Sequence, residues 1–194
     1  MLGVAPDDEA VLGWARAGWL DVHGGGRWST VLTFHTRPEP AAAWSAMRAC
    51  FARDAAWVAE HCEPNVLGDP RELFGDPQEI PRRARVRGEC RARVARMEIA
   101  LLLYAYAIEP SDSQRARRAR EGARGLGWMQ ALVGDPEALD YRTAATHAEM
   151  RENMRALATA AGADEDIEQP LTVTIRSYIE AARGSLLPRQ RRSS

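Results

Sequence analysis

The residues with the most chemistry to offer are arginines. All 26 basic residues are Arg, and Lys is absent. A guanidinium is planar, permanently charged and able to hold phosphate or carboxylate through two parallel hydrogen bonds. These side chains are unevenly spread. Residues 82–124 hold 12 Arg against 5 acids, whereas residues 1–81 hold 6 against 12. Residues 125–170 hold 3 against 9, and residues 171–194 hold 5 against 1. With a net charge of −1 the chain is neutral overall and blocked along its length. The basic block has two possible uses. It can make salt-dependent contact with nucleic-acid phosphates, or it can answer the acidic blocks within the monomer or across an interface. Near neutrality favours the second.

Two further groups of residues bear on acid–base or metal chemistry. "YRTAATH" sets Arg142 and His147 in an Arg-x4-His arrangement, a permanent cation beside a group that titrates near neutral pH. The spacing is similar to the motif of all-helical HEPN-type ribonucleases, and that resemblance implies that Arg142 and His147 act together on an RNA phosphodiester. Against it stands helical periodicity: Thr143, His147, Met150, Met154 and Leu157 share one face, which makes His147 a core residue. Cys50, Cys62 and Cys90 are odd in number and widely spaced, so they read as reduced thiols. His35 and His61 do not join them at zinc-ligand spacings, and no metal or cofactor is expected. P-loop, G-x-G-x-x-G and G-x-S-x-G motifs are absent, as are the paired Glu-x-x-His motifs of di-iron bundles.

The elements that position these residues are mostly helices. Gly-Asp-Pro occurs at Gly68, Gly75 and Gly134. Asp is a favoured N-cap, and Pro suits the first helical position. In Asp69-Pro70-Arg71-Glu72 and Asp76-Pro77-Gln78-Glu79, a Glu three residues on completes a capping box. The repeat therefore reads as helix-start punctuation. Periodicity predicts helices over 7–18, 40–62, 82–108, 112–133, 136–161 and 170–183, with single turns between 64 and 81. The helix near 112 is expected to open on a Ser111-x-x-Gln114 box. "GWLDVHGGGRWSTVLTFHT" alternates as two strands around Gly24-Gly25-Gly26.

Within 82–108, Val86, Cys90, Val94, Met97, Leu101, Tyr104 and Ile108 form one apolar stripe. Arg82, Arg85, Arg93 and Arg96 flank one side of it, and Arg83, Arg87 and Arg91 flank the other. Arg115, Arg117, Arg118, Arg120 and Arg124 open the next helix. If the two helices form a hairpin, their arginine-rich halves need not make one continuous patch.

The expected protein is mainly α-helical. Residues 1–38 form a helix and β-hairpin appendage, whose order is similar to the recognition helix and wing of winged-helix DNA readers. Residues 39–184 form a bundle of about five helices, and 185–194 a basic tail carrying Arg189, Arg191 and Arg192. No stretch reaches the roughly 20 apolar residues of a membrane span, and "MLGVAPDDEA" lacks the features of a secretory leader, so a cytoplasmic chain is expected. The expected function is a non-catalytic interaction or assembly subunit. Its arginine-rich helical surface meets a protein partner, a second copy, or nucleic acid. The alternatives are the ribonuclease and a helical regulator that binds a small ligand.

Overall fold

The computed structural model describes residues 9–23, 31–61, 79–134, 144–174 and 176, and these are mainly helical. Helix α1 (Glu9–Arg16) precedes β1 (Asp21–His23) and β2 (Val31–Thr33), which pair antiparallel with Val22 opposite Leu32. Then come α2 (Pro40–His61), α3 (Glu79–Ile108), α4 (Ser113–Gly134) and α5 (Ala144–Gly162). Residues 168–174 begin a last helix, α6. The Gly24–Gly26 turn, the first two Gly-Asp-Pro segments, and the tail lie outside the described residues. Among the described residues no helix is long and apolar enough to cross a membrane.

Helix α3 organises the rest, packing against both α2 and α4, while α5 lies along α2. The apolar stripe explains why. Cys90, Val94, Met97, Leu101, Tyr104 and Ile108 are all buried in a core shared with Met47, Phe51, Leu126, Met154 and Leu157. The opposite face of α3 is also covered. Ala95, Ile99 and Leu103 pack with Val11 and Leu20, and Trp14, Trp19 and Phe34 close over them. A helix apolar on two sides needs a layer on each.

Side-chain contacts fix the helix directions. Asp54 meets Arg93 and Arg96, and Trp44 meets Tyr104, so α2 and α3 run antiparallel. Glu109 meets Arg120, and a Cβ on Gly127 would stand 3.2 Å from Glu98 Oε1, so α4 also runs antiparallel to α3. Glycine at 127 thus permits a close helix approach over a carboxylate.

The helix ends follow from local chemistry. Helix α1 stops at Gly18, whose φ is +76°. Gly18 N–H donates to Ala15 O and Trp19 N–H to Trp14 O, the paired bonds of a Schellman turn. At the end of α3, Pro110 has no N–H to offer Tyr106 O, and Arg37 Nη1 donates to that carbonyl instead at 2.7 Å. The same guanidinium lies 4.2 Å over the Tyr106 ring, which Phe34 also stacks against. Arg37 therefore ties the N-terminal layer to α3.

Three expectations need correction. Helix α4 is capped by Asp112, not Ser111: Arg115 N–H donates to Asp112 Oδ1 at 2.8 Å. Ser111 Oγ turns back to donate to Ile108 O and serves the end of α3. Helix α3 is already helical at Glu79 instead of starting at Arg82. Pro81 is accommodated because the first turn leaves its N–H groups unpaired anyway. Finally, the thiols are not all reduced: Cys50 is free but Cys90 is disulfide-bonded.

Arg37→Ala should cost about 1 kcal/mol in urea unfolding, the worth of a hydrogen bond to an otherwise unserved carbonyl. The cost should shrink in a Pro110→Ala background, where a restored N–H takes over Tyr106 O. Equal costs in both backgrounds would assign the whole effect to stacking on the Tyr106 ring.

Candidate functional site

Helix α2 carries an acid where its apolar face should continue. Met47, Cys50, Phe51, Asp54, Ala55 and Val58 are all buried, and the Asp54 side chain is 0% exposed. A buried carboxylate must be neutralised by partners. Arg53 donates to it from Nε and Nη2 at 2.9 and 3.0 Å, and Arg93 Nη1 at 2.8 Å. Arg96 adds Nε at 2.9 Å and Nη2 at 3.3 Å. Glu89 joins from α3, its Oε1 2.8 Å from Arg93 Nε, near enough for attraction but out of line for a hydrogen bond. Arg93 also lies 4.4 Å over the Trp57 ring.

Burial pushes the Asp54 carboxyl up, but the hydrogen bonds from Arg53 and Arg96 and their charges outweigh it and hold it below the usual carboxylate range. The neighbouring Cys50 thiol is driven the other way. Burial raises it, the Asp54 charge raises it further, and its Sγ donates to Asp54 Oδ2 at 3.5 Å. Cys50 is thereby kept as an unreactive thiol.

The twelve arginines expected at the surface divide into separate environments. Arg93 and Arg96 belong to the buried cluster. Arg82 and Arg85 are exposed on the first half of α3, and Arg87 and Arg91 are half-buried there. The Arg83 side chain lies outside the described residues. On α4, Arg115 and Arg118 share Glu168, Arg120 pairs with Glu109, and Arg117 stands 3.8 Å from Glu121. Arg124 is exposed. Because the two helices are antiparallel, the basic halves point to opposite ends. Arg85 and Arg118 are roughly 36 Å apart along the hairpin axis at 1.5 Å per residue. Arg142 and the His147 side chain lie outside the described residues. Met154 and Leu157, on the face predicted for His147, are fully buried.

A different site emerges at one end of the bundle, where α2 and α4 begin and α3 and α5 end. An open cleft of about 470 Å³ is lined by Trp44, Tyr104, Ile108 and Arg115, and by Asp164, Glu165 and Asp166. The Trp44 and Tyr104 rings are 5.2 Å apart, tilted by 49°. Arg115 sits 5.2 Å from the first ring and 5.8 Å from the second, while its Nε donates to Glu168 Oε1 at 2.7 Å. Burial lowers the Arg115 pKa, but the Glu168 bond together with the charges of Tyr104, Glu168 and Asp166 outweighs it, so the net shift is upward. Burial likewise raises the Tyr104 hydroxyl, against the pull of Arg115.

The rim of this cleft is held by Arg48. Asp164 adopts φ +61°, and Glu165 N–H donates to Ala160 O at 3.0 Å, so α5 ends in a Schellman-type turn with Asp where Gly is usual. Arg48 Nε and Nη2 donate to Ala161 O at 2.9 and 2.6 Å, and Nη1 pairs with Asp164. A cation thus answers the negative end of α5.

Sequence reading missed both Asp54 and the cleft. The signal for Asp54 was present: an acid seven residues after Met47 and four before Val58, within an apolar stripe. The cleft had no comparable signal, since its walls come from four separated segments. No family model matches the chain, and neither a curated protein nor a solved structure is similar to it.

Asp54→Asn should lower stability by about 3 kcal/mol, because it leaves guanidinium groups buried without their counter-charge. The carboxyl is depressed in the folded state, so its stabilisation is complete above the unfolded value of about 3.9 and is lost as pH falls through the lower folded value. Acid unfolding followed by circular dichroism should therefore be steeper in the wild type below about pH 4 than in Asp54→Asn. Parallel curves would mean that the cluster contributes no net stability.

Proposed function

We propose that the chain is a non-catalytic interaction or assembly subunit that meets an acidic protein surface, a second copy included, through the arginines of α4. The observation that supports this reading is how the guanidinium groups divide. Arg93 and Arg96 are committed to the interior. Arg117 and Arg118 are 70% and 56% exposed, and Arg124 is exposed beside them on the same helix. Their partners Glu121 and Glu168 are themselves at the surface, 58% and 27% exposed.

Exposed ion pairs contribute about 0–1 kcal/mol, so a partner's carboxylates can replace them at little cost. Arg, with its planar fork, is also the cation enriched at protein interfaces. The alternation with Glu109, Glu121 and Glu168 suits a surface of mixed sign better than a run of phosphates. Arg82, Arg85, Arg87 and Arg91 carry basic charge at the other end of the hairpin, where a long partner would meet it.

The test is a triple exchange, Arg117, Arg118 and Arg124 to Ser. Sedimentation velocity at low and high salt reads self-association, and the same protein is titrated into an acidic peptide, labelled single-stranded RNA and duplex DNA. The proposal expects salt-sensitive self-association or peptide binding in the wild type, weakened at least about tenfold in the variant if each lost pair contributes about 0.5 kcal/mol, with helix content unchanged. Binding unaffected by the exchange would place the surface elsewhere. Preferential capture of RNA or DNA, with a salt slope reduced by about three in the variant, would replace the protein partner with a nucleic acid.

A further inference from the structure

We propose that the cleft at the end of the bundle binds a small organic cation, an alkylammonium or a guanidinium, against Trp44 and the carboxylates of the 164–166 turn. This goes beyond the α4 surface and uses neither Arg117 nor Arg124. At about 470 Å³ the cleft lies within the roughly 300–1,000 Å³ range of small-molecule sites. Its two aromatic rings form an electron-rich wall.

The first reason for a cation is that the chain already places one there. The Arg115 guanidinium stands over both Trp44 and Tyr104. Aromatic faces attract cations, Trp most strongly. The second reason is the balance of charge. Around the cleft, Asp112, Asp164, Glu165, Asp166 and Glu168 face Arg48, Arg115 and Arg118.

Most of these groups are committed. Asp112 caps α4, Asp164 holds Arg48, and Glu168 holds Arg115 and Arg118. Asp166 accepts the Glu168 N–H at the start of α6, which leaves its other oxygen at the rim. Glu165 is exposed and enters no ion pair among the described residues. The uncommitted charge of the cleft is therefore negative, and it stands beside an aromatic wall. An incoming cation would lay its carbon stem or guanidinium plane on Trp44 and direct its N–H groups to Glu165 and Asp166. An anion of the same size would meet those carboxylates first.

Calorimetric titration of agmatine and spermidine into the full chain at low salt tests the assignment. Saturable binding at one site, weakened by salt, is expected. Preference for agmatine would indicate a guanidinium ligand, and preference for spermidine an alkylammonium. Glu165→Gln should weaken binding about threefold, as for an exposed charge pair, and Glu165→Lys should weaken it further. Trp44→Leu should lose about fivefold through the missing cation–π contact. Trp44 also packs on the core, so Glu165, an exposed side chain, keeps the test valid if the Trp44 variant fails to fold. Exchange of Arg117 and Arg124 alone to Ser should leave amine binding intact, which separates this site from the α4 surface. Absence of saturable amine binding, binding indifferent to Glu165→Lys, or preferential binding of inorganic phosphate would each overturn it.

Discussion

The architecture depends on one buried carboxylate. Asp54 has no solvent to stabilise its charge, so the protein must bring guanidinium groups to it, and two of the three come from a different helix. That requirement does more than satisfy a polar group. Apolar side chains on α2 and α3 would tolerate sliding past one another, because burial is nearly indifferent to register. The bonds from Arg93 and Arg96 to Asp54 are not indifferent, and they select a single antiparallel alignment. A lone polar contact that specifies alignment at some expense in stability is a recognised use of buried charge. Here it has a consequence at a distance. With Asp54 held opposite Arg93 and Arg96, Trp44 lies ten residues up α2, about 15 Å away at the helical rise. That is the level of Tyr104, with which it forms the wall of the cleft.

Helix α4 presents the opposite problem. Arg115, Arg117, Arg118 and Arg120 lie in its first turns, where the positive end of the helix dipole disfavours them. The protein answers with carboxylates from three segments: Asp112 as cap, Glu109 from the end of α3, and Glu168 from the start of α6. Glu168 is the most consequential, because its two oxygens hold Arg115 and Arg118 and thus tie α6 to α4. Arg48 acts in the complementary sense, placing a cation at the negative end of α5. Charge blocks separated by a hundred residues in sequence thereby meet as helix-end compensation in three dimensions.

The fold class was legible because it rests on periodicity and punctuation. The apolar stripe from Cys90 to Ile108 is the core face of α3, and Gly18 ends α1 in the left-handed conformation that glycine favours. Cap choice was less legible. Ser111 and Asp112 are adjacent and both can cap; Asp112 takes the Arg115 N–H, while the Ser111 hydroxyl turns back to Ile108 O, which the Ser111 and Asp112 N–H groups also serve. Burial of individual arginines was not legible at all from spacing. Arg93 and Arg96 flank the stripe just as Arg82 and Arg85 do, and only the acid on a neighbouring helix separates the buried pair from the exposed one. The cleft stands at the far limit of sequence reading, since it assembles the starts of α2 and α4 with the ends of α3 and α5.

These contacts also bear on what the near-neutral charge means. An even mixture of signs along the chain would bury its ion pairs locally, within single helices. This chain segregates the signs and then pairs them across helices: Arg93 and Arg96 with Asp54, Arg115 and Arg118 with Glu168, Arg48 with Asp164. Segregation leaves remainders where the pairing is incomplete. On α4 the remainder is basic and exposed, at Arg124, and in the adjoining cleft it is acidic, at Glu165 and Asp166. Neutrality of the whole therefore coexists with two local surfaces of opposite sign at one end of the bundle. Recognition depends on such local fields, which salt screens only beyond about 10 Å, and not on the sum over the chain.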